Sequence, residues 1–141
     1  MTDAPGGRPS RPQPLSASLP PSERATIAAR YALGLAVVFF LGVMNRRLAD
    51  GVHITGADVT GGLYATLILV NPVASLVAGA LLGYKHGIIW LFAPLAGVAF
   101  IPATYVVYNE SAMPYAIGYM VFALLGMLVG RLIDRVRSRR A

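Results

Sequence analysis

Apolar residues gather in four long blocks, residues 25–44, 62–82, 88–107 and 115–133, and nearly every charge falls between or beyond them. A helix needs about 20 apolar residues to cross the ~30 Å hydrocarbon layer of a bilayer, and each block is close to that length. The pattern predicts an all-α integral membrane bundle of four transmembrane helices. The first block is the least regular, because only residues 31–44 are free of charge. That shorter run also fits the apolar core of a signal peptide. A long preceding region and the downstream run Asn45-Arg46-Arg47-Leu48-Ala49, which offers no small-x-small cleavage site, argue for a retained span. The span starts near Ala25 if Arg30 reaches back to the headgroups, or near Tyr31 if it does not.

Charge sets the expected orientation. The twelve basic residues comprise Arg8, Arg11, Arg24 and Arg30 before or at the first span, Arg46 and Arg47 in the first loop, Lys85 in the second, and Arg131, Arg135, Arg137, Arg139 and Arg140 at the end. With both termini cytoplasmic, only Arg46 and Arg47 fall outside, which is the arrangement favoured by the excess of Lys and Arg on cytoplasmic loops. Tyr31, Tyr84 and Trp90 then sit near the inner interface, and Tyr64, Tyr105, Tyr108 and Tyr115 near the outer one, where amphipathic rings collect.

Composition agrees. Charged residues make up 13% of the 141, against about 25% in soluble domains, a deficit that four lipid-embedded helices produce. The absence of cysteine excludes disulfides, thiolate metal sites and a cysteine nucleophile. The formal charge of +6 is explained by basic residues flanking spans, not by nucleic-acid binding. The preference for Arg over Lys beside abundant Ala and Gly points to a GC-rich, bacterial genome.

Outside the 23–134 transmembrane domain lie two tails. Residues 1–22 hold six of the ten prolines and are expected to be disordered and cytoplasmic, with Ser22 capping the first helix. Residues 135–141 form a basic cytoplasmic tail. Arg131, Arg135, Arg137, Arg139 and Arg140 fix orientation and can contact anionic lipids, at about 1 kcal/mol each near the surface.

Within the second span, Asn71, Ser75, Gly79, Gly83 and Gly87 recur every four residues and share one helix face. Small residues let a second backbone approach closely, so this face predicts a tight helix–helix seam. Pro72 has no N–H for the Ile68 carbonyl and is expected to kink the helix. Asn71-Pro72 is also a candidate midplane solute site, since broken helices expose carbonyls in some transporters. Pro94 and Pro102 predict a bent third span. Gly118, Gly126 and Gly130 give the fourth span a small face for packing on the second or on a copy of itself, and Gly34 and Gly42 do the same, more weakly, for the first. In the short third loop, Ser111 is an expected cap with Pro114 in the first turn. Asn109-Glu110-Ser111 matches a glycosylation sequon, and Glu110 is expected to be solvated at the rim.

No Asp, Glu, His or Lys falls inside a span, which disfavours a proton-coupled pump. His53 and His86 fall on opposite sides of the predicted membrane and cannot share a site. No hydrolase, metalloprotease or phosphate-loop motif is present, so no enzyme activity and no cofactor are expected.

Asn71-Pro72, Gly83, Gly87 and Trp90, Pro102, the run Tyr108-Asn109-Glu110-Ser111-Ala112, and Tyr115, Tyr119, Gly126 and Gly130 together resemble uncharacterised small multi-pass bacterial membrane proteins, over about residues 71–130. The resemblance implies a small multi-pass membrane protein and carries no activity. The expected role is a non-catalytic subunit, scaffold or regulator in the cell membrane, assembled through small-residue packing with itself or a larger membrane partner. The alternative is a small-solute channel or transporter component with its site at Asn71-Pro72.

Overall fold

The computed structural model describes residues 19–41 and 56–140, with side chains from residue 61 onward in the second stretch. Most of the Pro-rich tail, Gly42, Arg46, Arg47 and His53 lie outside the described residues. The described chain is all-α. Helix α1 is Pro21–Phe39. Helix α2, Gly56–Ala65, runs through a π-helical turn, Thr66–Val70, into α3, Asn71–His86. Helix α4 is Phe92–Val106 and α5 is Tyr115–Ser138, with a 3₁₀ turn, Glu110–Ala112, between them. Among the described residues two helical stretches are long and apolar enough to cross a membrane, Gly61–His86 and Glu110–Ser138. Helix α4 is a shorter apolar helix, and α1 carries Glu23, Arg24 and Arg30.

Local sequence explains the ends. Helix α1 begins at Pro21, whose missing N–H falls among the donors that have no partner in a first turn. Pro20 occupies the cap position, so the expected capping role of Ser22 is not realised. Gly87 ends α3 at φ 77°, a left-handed conformation that favours glycine, and its N–H closes on the Gly83 carbonyl. Helix α5 starts after Pro114, and Ser111 bonds instead to the Asn109 side chain within the 3₁₀ turn, which corrects the expected cap. Pro94 lies in the first turn of α4, where a proline costs little, so of the two prolines only Pro102 interrupts the helix interior.

Helix α3 packs most extensively on α5, and α4 packs on both α1 and α5. The α3–α5 pair is parallel: Gly79 faces Ala123 and Met127, and Gly130 faces Ala80 and Tyr84, so both numberings rise together. The buried face of α3 is Asn71, Ser75, Gly79, Leu82 and Gly83, as the four-residue spacing predicts. That of α5 is Tyr119, Ala123, Gly126, Met127 and Gly130. At the far end Arg137 donates to the Tyr84 hydroxyl at 2.9 Å, tying the C-terminal turns of the two helices together.

The glycines differ sharply in what they touch. A Cβ built on Gly79 or Gly83 would strike the Ala123 or Met127 carbonyl oxygen, and one on Gly126 or Gly130 would strike that of Leu76 or Ala80. The hydrogens standing where those Cβ atoms would be therefore point at carbonyls across the seam, a geometry that suits weak Cα–H···O contacts. Gly97 of α4 lies against the Met120 side chain and the Ala116 carbonyl. Gly34 and Gly118 meet nothing within 4 Å, so neither belongs to a helix seam as expected. Gly87 is a helix terminator and not a further seam position.

Candidate functional site

Polar chemistry concentrates where α3 begins. In the π turn the Asn71 N–H reaches the Thr66 carbonyl, five residues back. The next carbonyl in that register belongs to Leu67, and its partner would be the N–H that Pro72 lacks. Tyr119 of α5 meets this need: its hydroxyl donates to the Leu67 carbonyl oxygen at 2.7 Å. Sequence spacing in an α-helix names Ile68 as the orphaned carbonyl. The wider turn moves the orphan one residue back and supplies a partner from another helix. A proline facing a tyrosine one turn into the last span was the available signal, and it could be read only once the two helices were known to be parallel neighbours.

Asn71 is fully buried. Its side-chain N–H donates to the Tyr108 hydroxyl at 3.3 Å, and its backbone carbonyl accepts from Ser75 at 2.8 Å. The amide oxygen Oδ1 has no hydrogen-bond partner. Burial pushes the Tyr108 phenol above its ordinary pKa, with the Asn71 hydrogen bond acting partly against that rise. Asn71 lies eight residues before Gly79, about 12 Å along the helix, and so is level with the first turns of α5. The amide therefore sits beneath the α4–α5 connection and near the middle of the Gly61–His86 helical stretch.

Above it opens a cavity of about 460 Å³, walled by Leu63, Tyr64 and Leu67 on one side and by Val107, Tyr108, Asn109, Ser111, Ala112 and Tyr115 on the other. Among the described residues no charged side chain lines it, and Asn71 reaches it through Tyr108. Beneath, the bundle is closed by aromatic rings. Phe39 of α1 stacks on Tyr119 at 5.3 Å, and Phe100 of α4 meets Tyr119 edge-on at 4.6 Å and Phe39 at 5.3 Å. With Tyr119 also bonded to Leu67, all four helical rods meet at this plug. Among the described residues, no group of three or more His, Cys, Asp or Glu side chains comes together.

The other predicted residues divide as the fold requires. Ser75, Gly79, Gly83, Gly126 and Gly130 line the α3–α5 seam below Asn71. Pro72 shapes the π turn. Of the terminal arginines, Arg131 is partly buried and Arg137 is engaged by Tyr84, while Arg135, Arg139 and Arg140 are exposed.

Residues 66–138 match the family described as Protein of unknown function (DUF2651). The chain belongs to this family. The DUF2651 region begins at the π turn and ends with α5. It therefore contains the whole α3–α5 seam, the plug residues Phe100 and Tyr119, and the Asn71–Tyr108 pair, whereas α1 precedes it. No curated protein and no solved structure matches the chain.

Proposed function

We propose that this DUF2651 protein is a bacterial plasma-membrane protein that crosses the bilayer four times, keeps both termini cytoplasmic, and acts by assembly and not by catalysis, as a subunit, scaffold or regulator. The observation that carries this reading is that the bundle is apolar outside as well as inside, with its few buried polar groups and its seam glycines in the interior. Small and polar residues, Asn71, Ser75, Thr104 and the seam glycines, are buried. Large aliphatic side chains, among them Leu33, Val37, Leu69, Val98, Ile117 and Leu132, stand at least half exposed on the outside. A patch of that kind on all helices would aggregate in water and is the ordinary surface of a bundle in lipid, where packing of small residues replaces hydrophobic burial. Helix α4 spans only ~22 Å at 15 residues. The apolar run Ile88-Ile89-Trp90-Leu91 before it supplies the missing length.

The plug of Phe39, Phe100 and Tyr119 supports an assembly role over passage of a solute through a single copy. One observation favours the transport alternative: Asn71 Oδ1 is a buried acceptor with no donor, close to a cavity. The natural absence of cysteine makes a topology test direct. Ser111→Cys should react with a membrane-impermeant maleimide on intact cells, and Ser138→Cys only after the membrane is opened. Equal labelling of both from outside, or recovery of the protein in an aqueous extract, would overturn the four-span reading. Role is tested separately. In mild detergent the protein should run as a defined complex with itself or a membrane partner, and a mass matching one copy alone would overturn the assembly reading. Solute flux through purified monomeric protein in vesicles, abolished by Asn71→Ala, would give the function to transport.

A further inference from the structure

A second concavity, of about 430 Å³, runs between α1 and α3 and is lined by Arg30, Tyr31, Gly34, Leu35 and Val38 on one wall and Ala74, Val77, Ala78 and Leu81 on the other. We propose that this groove holds one acyl chain of an anionic phospholipid from the cytoplasmic leaflet, with the lipid phosphate on the Arg30 guanidinium. The proposal rests on the four-span reading above and adds to it a specific lipid site.

The groove exists because small residues face each other with nothing between them. Gly34 has open space within 4 Å of where its Cβ would be, and Ala74 and Ala78 stand across from it. Elsewhere in the bundle the same residue types bring backbones into contact. A dry gap between helices forfeits dispersion contacts on both walls, and in a membrane the filler at hand is a hydrocarbon chain.

Charge and length both favour a lipid. Among the described residues, Arg30 is the one charged residue in the lining, and no carboxylate accompanies it. It stands at one end, beside Tyr31, whose ring packs edge-on to His86 and Phe92 where α3 ends and α4 begins. With the N-terminus cytoplasmic, that end faces the inner headgroups. Arg30 is exposed at the mouth of the groove; at the hydrocarbon edge a guanidinium is costly unless an anion meets it, and its planar donor fork matches a phosphate. From Arg30 to Val38 the groove runs ~12 Å, most of the ~15 Å depth of one hydrocarbon leaflet.

The test uses full-length protein stripped of lipid in detergent and titrated, by native mass spectrometry, with phosphatidylglycerol, with phosphatidylcholine and with inorganic phosphate. One phosphatidylglycerol should be retained by the wild type about tenfold more tightly than phosphatidylcholine, whose choline cation offsets the phosphate charge that Arg30 meets, and inorganic phosphate should not compete. Arg30→Gln should erase the preference between headgroups while one lipid still binds. Gly34→Leu, which fills the groove from a position with room for the side chain, should abolish tight binding of both lipids with helicity unchanged by circular dichroism. Val38→Trp provides a second blocking variant. The C-terminal arginines attract anionic lipid in every variant, so the difference between variants is the signal. An unchanged headgroup preference in Arg30→Gln would overturn the proposal. So would a retained lipid in both blocking variants, or a lipid-free dimer that Gly34→Leu dissolves, which would assign the groove to a second copy. If the proposal alone fails, the cysteine labelling pattern stays intact. If the four-span reading fails, that pattern itself is lost.

Discussion

Helix α3 has two sides that look alike in sequence and behave oppositely in structure. Toward α5 it presents Ser75, Gly79 and Gly83, and the partner answers with Gly126 and Gly130, offset so that each glycine receives a carbonyl from the other helix. Toward α1 it presents Ala74 and Ala78, and the partner answers with Gly34, yet the walls stand apart around a groove. Small residues permit close approach but do not cause it. The α3–α5 seam closes because glycines alternate between the helices along a parallel pair, so carbonyl and Cα–H meet repeatedly. The α1–α3 pair has one glycine on one side, and an arginine at the end of the contact.

The largest effect should come from breaking the closed seam. Gly83→Leu drives a side chain into the Met127 backbone, which cannot yield as a flexible side chain would. Overpacking of this kind costs ~1–3 kcal/mol in ordinary cores and more where backbone blocks the way, so the variant should unfold in detergent far below the wild type, as followed by helicity during a thermal scan. Gly79→Leu and Gly126→Leu should match it. If any of the three melts like the wild type, the seam is not what holds the bundle.

Next in size is Tyr119→Phe. It keeps the ring in its aromatic stack and deletes only the donor to the Leu67 carbonyl. An unpaired buried carbonyl costs about 1–3 kcal/mol. The loss should appear as faster hydrogen exchange through the π turn, with the seam glycine region below it protected as before. Uniform loosening of both regions would mean the two share one cooperative unit.

The sequence made the seam legible and the groove illegible, for physical reasons. Four-residue spacing of Asn71, Ser75, Gly79 and Gly83 marks a face whatever lies opposite, because helix geometry alone aligns it. What fills that face depends on the direction and offset of the neighbour, which no spacing encodes. Gly118, Gly126 and Gly130 therefore read as one stripe, although Gly118 faces open space while the other two are in backbone contact. Asn71 was conspicuous as an amide in an apolar run, but its partner Tyr108 lies 37 residues away and its depth follows from the register of α3 on α5. The π turn was hidden because proline signals a missing donor without saying which carbonyl loses it.

A smaller effect is expected at Asn71. Asn71→Ala removes one long hydrogen bond and one unmet acceptor together. Hydrogen bonds between helices in lipid average ~0.6 kcal/mol net, and loss of the unpaired oxygen offsets part of that. Stability should change by less than the Tyr119→Phe variant, even though Asn71 is equally buried. A large loss would show that Oδ1 has a partner in the native membrane and would revive the transport reading.

The smallest effect sharpens the comparison most. Gly118 and Gly126 lie on the same helix, eight residues apart, yet a Cβ at Gly118 meets nothing and one at Gly126 meets the Leu76 carbonyl. Replacing a helical glycine by alanine gains about 0.5–1 kcal/mol from backbone entropy where space is free. Gly118→Ala should therefore raise the detergent melting temperature slightly, and Gly34→Ala should do the same without closing the groove. Gly126→Ala should lower it, because the same entropic gain is opposed by a steric clash with backbone. Since each substitution adds one methyl to a glycine in a helix, propensity cannot separate them, and only the presence or absence of an opposing carbonyl can give the pair opposite signs.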